Sequence, residues 1–199
     1  MVSRRYVGDY RLENVKDKNG KLVTKPVYKG KYYVFEKSAE EAGRGIRSLT
    51  ACAVLAVLTL VLGLALVGNK GFASQYYTVL PMVICTLPLA YLCVAVYYLL
   101  TSKLPVIRER KEKMSDRVAK CSFVTMLLAG WNLSGILLAF VLKLSGVEKR
   151  PFTAGDGVYI AASLLFFGAV LGAFLARKSV AMLESAGVAP DTAGGGDNA

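Results

Sequence analysis

Hydrophobic and polar residues are segregated along this chain into long blocks. Four apolar runs contain no Asp, Glu, Lys or Arg, and shorter polar segments separate them: residues 49–68, 76–100, 121–142 and 158–176. A helix of twenty residues is about 30 Å long, which matches the hydrocarbon thickness of a bilayer. Each run is also too long for an ordinary strand. The pattern predicts an all-α membrane protein, a bundle of four transmembrane helices.

The polar front of the chain, residues 1–47, has a different pattern. Three short runs rich in strand-forming residues follow one another at Tyr10–Val15, Lys21–Val27 and Tyr32–Phe35, and Asn19-Gly20 lies between the first two. Asn-Gly between such runs is a strong signal for a β-hairpin, because both residues tolerate positive φ. The front of the chain is therefore predicted to be a small N-terminal β-meander that rests on the membrane, the 102–120 segment or a partner.

Two boundaries follow from local signals. Ser38-Ala39-Glu40-Glu41 has the form of a capping box, so we expect a linker helix to start there and to bend at Gly43 and Gly45 before the membrane. The transmembrane bundle then occupies residues 48–177. The remaining tail, residues 178–199, ends in a Gly-rich stretch without an apolar pattern and is predicted to be disordered.

The formal net charge of +11 is distributed unevenly between the two sides of such a bundle. Of the 25 Lys and Arg residues, 21 lie before the first run, between the second and third, or after the fourth, and 4 lie in the other two connections. The positive-inside rule then predicts a cell-membrane protein with both termini in the cytoplasm. Anionic lipid headgroups are the expected partners of this charge, and no nucleic-acid-binding motif accompanies it.

The apolar runs lack the groups that intramembrane chemistry requires. They contain no ionisable residue at mid-depth, and His is absent from the whole sequence. Proton-coupled carriers, metal-dependent intramembrane enzymes and hydrolases with a His base depend on such groups. The sequence therefore predicts that the protein is not an enzyme and that it uses no cofactor or metal. A pore lined by hydroxyl groups and backbone carbonyls is compatible with this composition.

One polar cluster is predicted inside the third run. Asn132 lies near its middle, beside Trp131 and two residues before Ser134, and Thr125 lies one heptad earlier. An unpaired amide at this depth would cost a few kcal/mol. Asn132 is therefore expected to bond a neighbouring helix and fix the packing. The alternatives are a cavity for a small ligand or a lipid headgroup, and self-association.

Small residues predict where helices approach each other. Gly168 and Gly172 form a Gly-x-x-x-Gly pair in the fourth run, and Gly130 with Ser134 forms a weaker version in the third, so we expect these two faces to meet. Pro88 lies deep in the second run, where it frees a carbonyl and bends the helix. The bend is expected to adjust packing, and a hinge for gating is the alternative.

The connection at residues 102–120 is strongly charged. Beyond Pro105 it is predicted to be helical, with opposite charges four residues apart at Arg108–Glu112 and Glu109–Lys113. A solvated helical link is one interpretation. The alternative is a docking surface for a cytoplasmic partner or anionic lipid, built on the basic side chains of this segment: Arg108, Arg110, Lys111 and Lys113.

Several short motifs carry a resemblance to a known group of proteins. They are Tyr6-x-Gly8-x-Tyr10 before the first run, Leu80-Pro81, and Leu87-Pro88-Leu89-Ala90-Tyr91 in the second run. With these motifs the chain resembles small four-span membrane proteins of Gram-positive bacteria that lack an assigned activity. The resemblance implies location and topology, and it transfers no catalytic or binding residue.

Two classes of function fit the sequence. The favoured hypothesis is a non-enzymatic accessory or regulatory subunit, whose basic head and 102–120 segment contact a membrane or cytoplasmic protein, or lipid. The alternative is a channel or transport component assembled from several copies, with Asn132, Ser134 and Thr125 as the polar groups of the pore and Pro88 as its hinge. An intramembrane enzyme is the third hypothesis.

Overall fold

The computed structural model describes residues 4–16, 21–66, 74–102, 104–147 and 152–185. Four long helices dominate it: α1 (Ala39–Ala65), α2 (Tyr76–Thr101), α4 (Arg117–Leu144) and α5 (Ala154–Ala176). A short helix, α3 (Arg108–Lys111), and a π-helical turn, Glu112–Asp116, lead directly into α4. The four long helices are long and apolar enough to cross a membrane, which agrees with the four predicted spans and identifies a multi-pass membrane protein by length and composition.

The outer surface of the bundle is apolar. Large hydrophobic side chains such as Leu58, Leu87 and Leu164 are more than half exposed on three different helices. A water-soluble protein rarely exposes contiguous apolar surface on this scale. A bilayer removes the penalty, because lipid chains solvate these side chains as well as a protein core does.

The helices form a closed ring in chain order. The most extensive contacts join α1 to α5 and α2 to α4, the α4–α5 seam is next, and the α1–α2 seam is the loosest of the four. The centre of the ring is filled by fully buried side chains, among them Leu49, Leu92, Tyr159, Phe166 and Val170.

The N-terminal head corrects the predicted meander. A 3₁₀ turn, Arg4–Asp9, precedes strand β1 (Tyr10–Lys16), which pairs antiparallel with β2 (Leu22–Tyr28) as predicted. The expected Asn19-Gly20 turn lies outside the described residues. The third strand, β3 (Tyr32–Phe35), does not continue this hairpin, because its two edges are occupied by other segments: β4 (Val106–Ile107) and β5 (Met182–Glu184).

The three-stranded sheet β4-β3-β5 fixes the relative direction of the helices. It joins the segment before α1, the segment after α2 and the segment after α5. The start of α1, the end of α2 and the end of α5 therefore lie on one side of the bundle, which we name the sheet side. The end of α1, the start of α2, the end of α4 and the start of α5 lie on the opposite side.

Helix α1 starts where the capping signal predicts and then departs from the prediction. The Ser38 hydroxyl accepts a hydrogen bond from the Glu41 backbone N–H at 3.3 Å. The helix continues through Gly43 and Gly45 to Ala65 as one α-helix, so no separate linker helix precedes the first span. Gly45 is buried under Ser179, and a Cβ at residue 45 would lie 2.5 Å from the Ser179 Cβ. This glycine permits a close contact between α1 and the turn that follows α5.

The predicted disordered tail also begins too early. Residues Arg177–Val180 form a 3₁₀ turn after α5, and β5 follows it. Val180 and Met182 are buried against the bundle, so this part of the tail closes the sheet side of the molecule. The Gly-rich stretch at 190–199, which carried the prediction of disorder, lies outside the described residues.

Candidate functional site

The buried polar cluster is built from three helices. The Asn132 side chain of α4 donates from Nδ2 to the Thr78 carbonyl of α2 at 2.7 Å and to the Tyr159 hydroxyl of α5 at 2.9 Å. The Tyr159 hydroxyl in turn donates to the same Thr78 carbonyl at 3.3 Å. All three residues are at most 1% exposed. One amide therefore ties α2, α4 and α5 together at a single point, toward the side opposite the sheet.

The hydrogen bonds determine which way the amide faces. A backbone carbonyl can only accept, so the atom next to Thr78 must be the nitrogen of Asn132. The Asn132 Oδ1 is then directed elsewhere, and neither it nor the buried Ser163 hydroxyl has a hydrogen-bond partner of good geometry among the described residues. Ser163 lies one turn after Tyr159 on the same face of α5. The cluster is thus polar, buried and only partly satisfied.

Close approach of α2 and α4 brings the Thr78 carbonyl within reach. Gly135, one turn after Asn132, faces the backbone of α2, and a Cβ at residue 135 would lie 2.6 Å from the Tyr77 carbonyl oxygen. Pro81 has no N–H to donate to that Tyr77 carbonyl, four residues earlier. A glycine on one helix and a proline on the other therefore shape this crossing.

The residues predicted to accompany Asn132 are not brought to it. Trp131 is 50% exposed on the outer surface of α4. Ser134 is also exposed, and its hydroxyl donates to the Gly130 carbonyl of its own helix at 3.0 Å. Thr125 is buried, but its hydroxyl donates to the Cys121 carbonyl at 2.7 Å. Asn132 and Ser134 therefore face different surroundings, and they do not line a common pore within this chain.

The small-residue seam is also placed differently from the prediction. Gly168 is exposed with open space around it, whereas Gly172 packs against α1, where a Cβ would lie 2.9 Å from the Cys52 sulfur. Gly130 is in ordinary contact with Phe167 of α5. The expected meeting of the two small-residue faces is therefore wrong, because α5 uses this face for α1. Pro88 lies within a continuous α2 and is half-buried.

Sequence reasoning missed Thr78 and Tyr159 as members of the cluster. Both lie within the first turns of their helices, where Thr and Tyr are common as boundary residues. The spacing of Tyr159 and Ser163, four residues apart, was an available signal for a polar stripe on α5. Thr78 takes part through its carbonyl oxygen, which no side-chain pattern can reveal.

Three basic residues of the segment after α2 form ion pairs within the molecule. Arg108 pairs with Glu112 at 3.4 Å and Lys113 with Glu109 at 2.6 Å, and both pairs agree with the predicted i,i+4 pattern. Lys111 pairs with Asp116 at 3.4 Å and lies over the Tyr33 ring. Arg110 is exposed and has no ion-pair partner within the described part of the chain. Of the four basic residues predicted to face a partner or lipid, Arg110 is the one whose charge is not paired within the described residues.

The head is fastened to this segment by tyrosines. The Tyr6 hydroxyl donates to Glu112 at 2.9 Å, and the Tyr28 hydroxyl accepts from the Arg108 backbone N–H at 3.2 Å while donating to the Lys31 carbonyl at 2.9 Å. Burial raises the pKa of Tyr28, the Arg108 N–H acts against this rise, and the nearby Asp9 charge adds to it. Burial likewise raises the pKa of Tyr10, with a contribution from the Glu109 charge.

The described residues contain no group of three or more His, Cys, Asp or Glu side chains that could hold a metal ion. Comparisons with protein-family models, with curated proteins and with solved structures give no match for this chain. The resemblance to small four-span proteins of Gram-positive bacteria therefore stays a prediction.

Proposed function

We propose that this protein is a non-enzymatic accessory or regulatory subunit of the cell membrane, whose head presents the β1–β2 hairpin to a partner protein in the cytoplasm. The observation that carries the proposal is the exposure of this hairpin. Leu12 is 75% exposed and Leu22 is 68% exposed, although both lie in regular strands outside the apolar helices. A two-stranded hairpin is marginally stable alone, so a partner surface is expected to cover it.

The sheet side gives the hairpin a fixed base. At its root, Tyr28 stacks edge-on against Tyr10 and Tyr32, with ring centroids 5.2 and 5.3 Å apart. The next strand, β3, is held between β4 and β5, which are anchored to α2 and α5. A hairpin on a fixed base binds with less loss of conformational entropy than a free one.

The open edge of β1 favours a protein over lipid as the partner. The Lys29 N–H donates to the Asp9 carbonyl at 2.8 Å, so alternation along the ladder directs the N–H groups of Leu12 and Asn14 away from β2. No described strand pairs with that edge. The backbone of a partner strand can accept and donate hydrogen bonds at this edge, whereas lipid chains cannot.

Pro26 distinguishes the two edges of the hairpin. It pairs with Leu12 in the register, at a position where the backbone N–H would point outward from β2. Proline has no N–H, so it blunts the edge of β2 without removing a ladder hydrogen bond. The proposal therefore places the partner's strand along β1.

The test compares two matched proline variants. Asn14→Pro and Thr24→Pro each remove an outward N–H, and both lose the same hydrogen bond from the Thr24 hydroxyl to Asn14 Oδ1. They differ only in the edge that they block. A photo-crosslinking residue at Leu22 in living cells should yield a defined protein adduct that Asn14→Pro abolishes and Thr24→Pro retains.

The same photo-crosslinking residue at Leu144, which is equally exposed at the far end of α4, should give no such adduct. Adducts to lipid alone at Leu22, or equal loss in both proline variants, would rule out strand addition at β1. Ion or solute flux through vesicles that contain the purified protein would instead support the channel hypothesis.

A further inference from the structure

The loosest seam of the ring, between α1 and α2, opens outward as a groove. Its cavity volume is about 290 Å³, and it lies on the surface that faces lipid. The walls are almost entirely apolar. They comprise five residues of α1 from Thr50 to Leu58 and four residues of α2 from Cys93 to Leu100, with Val54, Val57 and Tyr97 among them. Such a lining offers nothing to recognise a polar solute and fits a hydrocarbon chain.

The groove lies in one leaflet. Its α1 wall begins at Thr50, at the start of the apolar run, and its α2 wall ends at Leu100, next to the last residue of that helix. Both of these ends are on the sheet side. From Thr50 to Leu58 the helix rises about 12 Å. This length is close to the roughly 15 Å of hydrocarbon in half a bilayer.

Among the described residues, Arg47 is the charged side chain that the α1 wall of the groove leads to on the sheet side. Arg47 is the last charged residue before the first apolar run, and it precedes Thr50 by three positions and Val54 by seven, so all three share one face of α1. Arg47 is exposed, and no ion pair engages it within the described residues. The neighbouring Arg44 pairs with Glu40 at 3.9 Å instead.

We propose that this groove binds one acyl chain of an anionic phospholipid from the sheet-side leaflet, with the lipid phosphate paired to Arg47. An arginine at the headgroup level favours phosphate, and the dry groove beneath it holds the chain in register. A second copy of the protein fits less well, because a two-fold contact through this narrow seam would bring two Arg47 charges together. The proposal is independent of the hairpin's partner.

The single tryptophan of the chain makes the proposal measurable. Trp131 is exposed on α4, away from the groove, and its fluorescence reports the general lipid shell. A second protein, Tyr97→Trp in a Trp131→Phe background, places the only tryptophan in the groove; Leu100→Trp replaces it if that variant does not fold. Quenching by brominated phosphatidylglycerol and brominated phosphatidylcholine, in reconstituted vesicles, gives the relative affinity for the two lipids at each probe.

We expect the groove probe to favour phosphatidylglycerol about fivefold, as one interfacial arginine allows, and Trp131 to show a ratio near one. Arg47→Gln should reduce the groove ratio to near one. Arg110→Gln, which removes another exposed and unpaired arginine on the sheet side, should leave it unchanged. The proposal would be overturned if the two probes gave equal lipid ratios or if Arg47→Gln left the groove ratio unchanged. It would also be overturned if a second copy shielded the groove probe from quenching by both lipids.

Discussion

At the scale of single residues, the Asn132 amide links three of the four long helices through its side chain. It donates to acceptors on two other helices, and no water is available in hydrocarbon to replace either bond. The amide therefore favours one arrangement of α2, α4 and α5 over others that bury similar apolar area. The arrangement explains why a polar side chain is tolerated so deep without any charge beside it.

Asn132→Leu is predicted to destabilise the bundle by about 1 kcal/mol, because interhelical hydrogen bonds of this kind contribute that amount in membranes. Unfolding measured by steric trapping in bicelles would give the difference. Ser134→Ala is the matched control, since its hydroxyl bonds only to its own helix and is exposed. An equal loss in both variants would contradict the assigned role of the cluster.

Replacement of Gly135 and of Gly168 by alanine is predicted to change the stability of the bundle in opposite directions. At residue 135 the added Cβ meets the Tyr77 carbonyl oxygen, so Gly135→Ala should cost about 1–3 kcal/mol by forcing α2 and α4 apart. At residue 168 the space is open, and alanine should stabilise the helix by up to about 1 kcal/mol. The same unfolding measurement checks both, and destabilisation by Gly168→Ala would place that residue in an unrecognised contact.

At the scale of elements, one phenol links the hairpin to the segment before α4. The Tyr28 hydroxyl contacts both Lys31 and Arg108, which are separated by the whole α1–α2 hairpin. Tyr28→Phe is predicted to leave the four helices intact while speeding amide hydrogen exchange in β2 and at Arg108 severalfold. Tyr76→Phe, an exposed tyrosine on the opposite side, is the control and should leave exchange unchanged.

The same link is predicted to weaken at high pH. The folded pKa of Tyr28 lies above its ordinary value of 10.0. A raised folded pKa means that the stabilisation by the neutral phenol is complete below pH 10 and is lost as the pH rises through the folded value. Hydrogen exchange in β2, corrected for its intrinsic pH dependence, should therefore increase above pH 10 in the wild type and increase less in Tyr28→Phe, where Tyr10 is the remaining hairpin tyrosine with a raised pKa.

The elements differ in how far the sequence predicts them, for physical reasons. The spans follow from composition alone, because charge-free runs of this length have few alternatives. The β1–β2 pairing follows from local turn chemistry. Strands β4 and β5 have two and three residues, and whole transmembrane helices separate them from β3 in the sequence. No local signal reports such pairings, which depend on where the helices end. The same holds for the Thr78 carbonyl beside Asn132.

At the scale of the whole molecule, a small sheet acts as a clamp on one side of the bundle. Because β3 pairs with both β4 and β5, separating the start of α1 from the ends of α2 and α5 requires breaking strand pairs as well as helix contacts. The sheet therefore also holds the sheet-side ends of α1 and α2 beside each other, while the groove between these two helices opens toward lipid. The clamp explains how a groove persists there without the ring opening.

The sheet also determines which segments must share a compartment, and charge determines which compartment it is. Lys31 and Lys178 should both lie in the cytoplasm with the basic segment, and Ser145 should lie outside, because 21 of the 25 Lys and Arg residues fall on the sheet side. Single-cysteine variants at Lys31 and Ser145 are made in a background where the four apolar-run cysteines are replaced. A membrane-impermeant maleimide should label Ser145→Cys in intact cells, and it should label Lys31→Cys only after the membrane is permeabilised. Labelling of both variants in intact cells would contradict the four-span topology. Labelling of Lys31→Cys alone in intact cells would reverse the orientation and rule out the cytoplasmic partner, but it would not contradict the sheet or the groove.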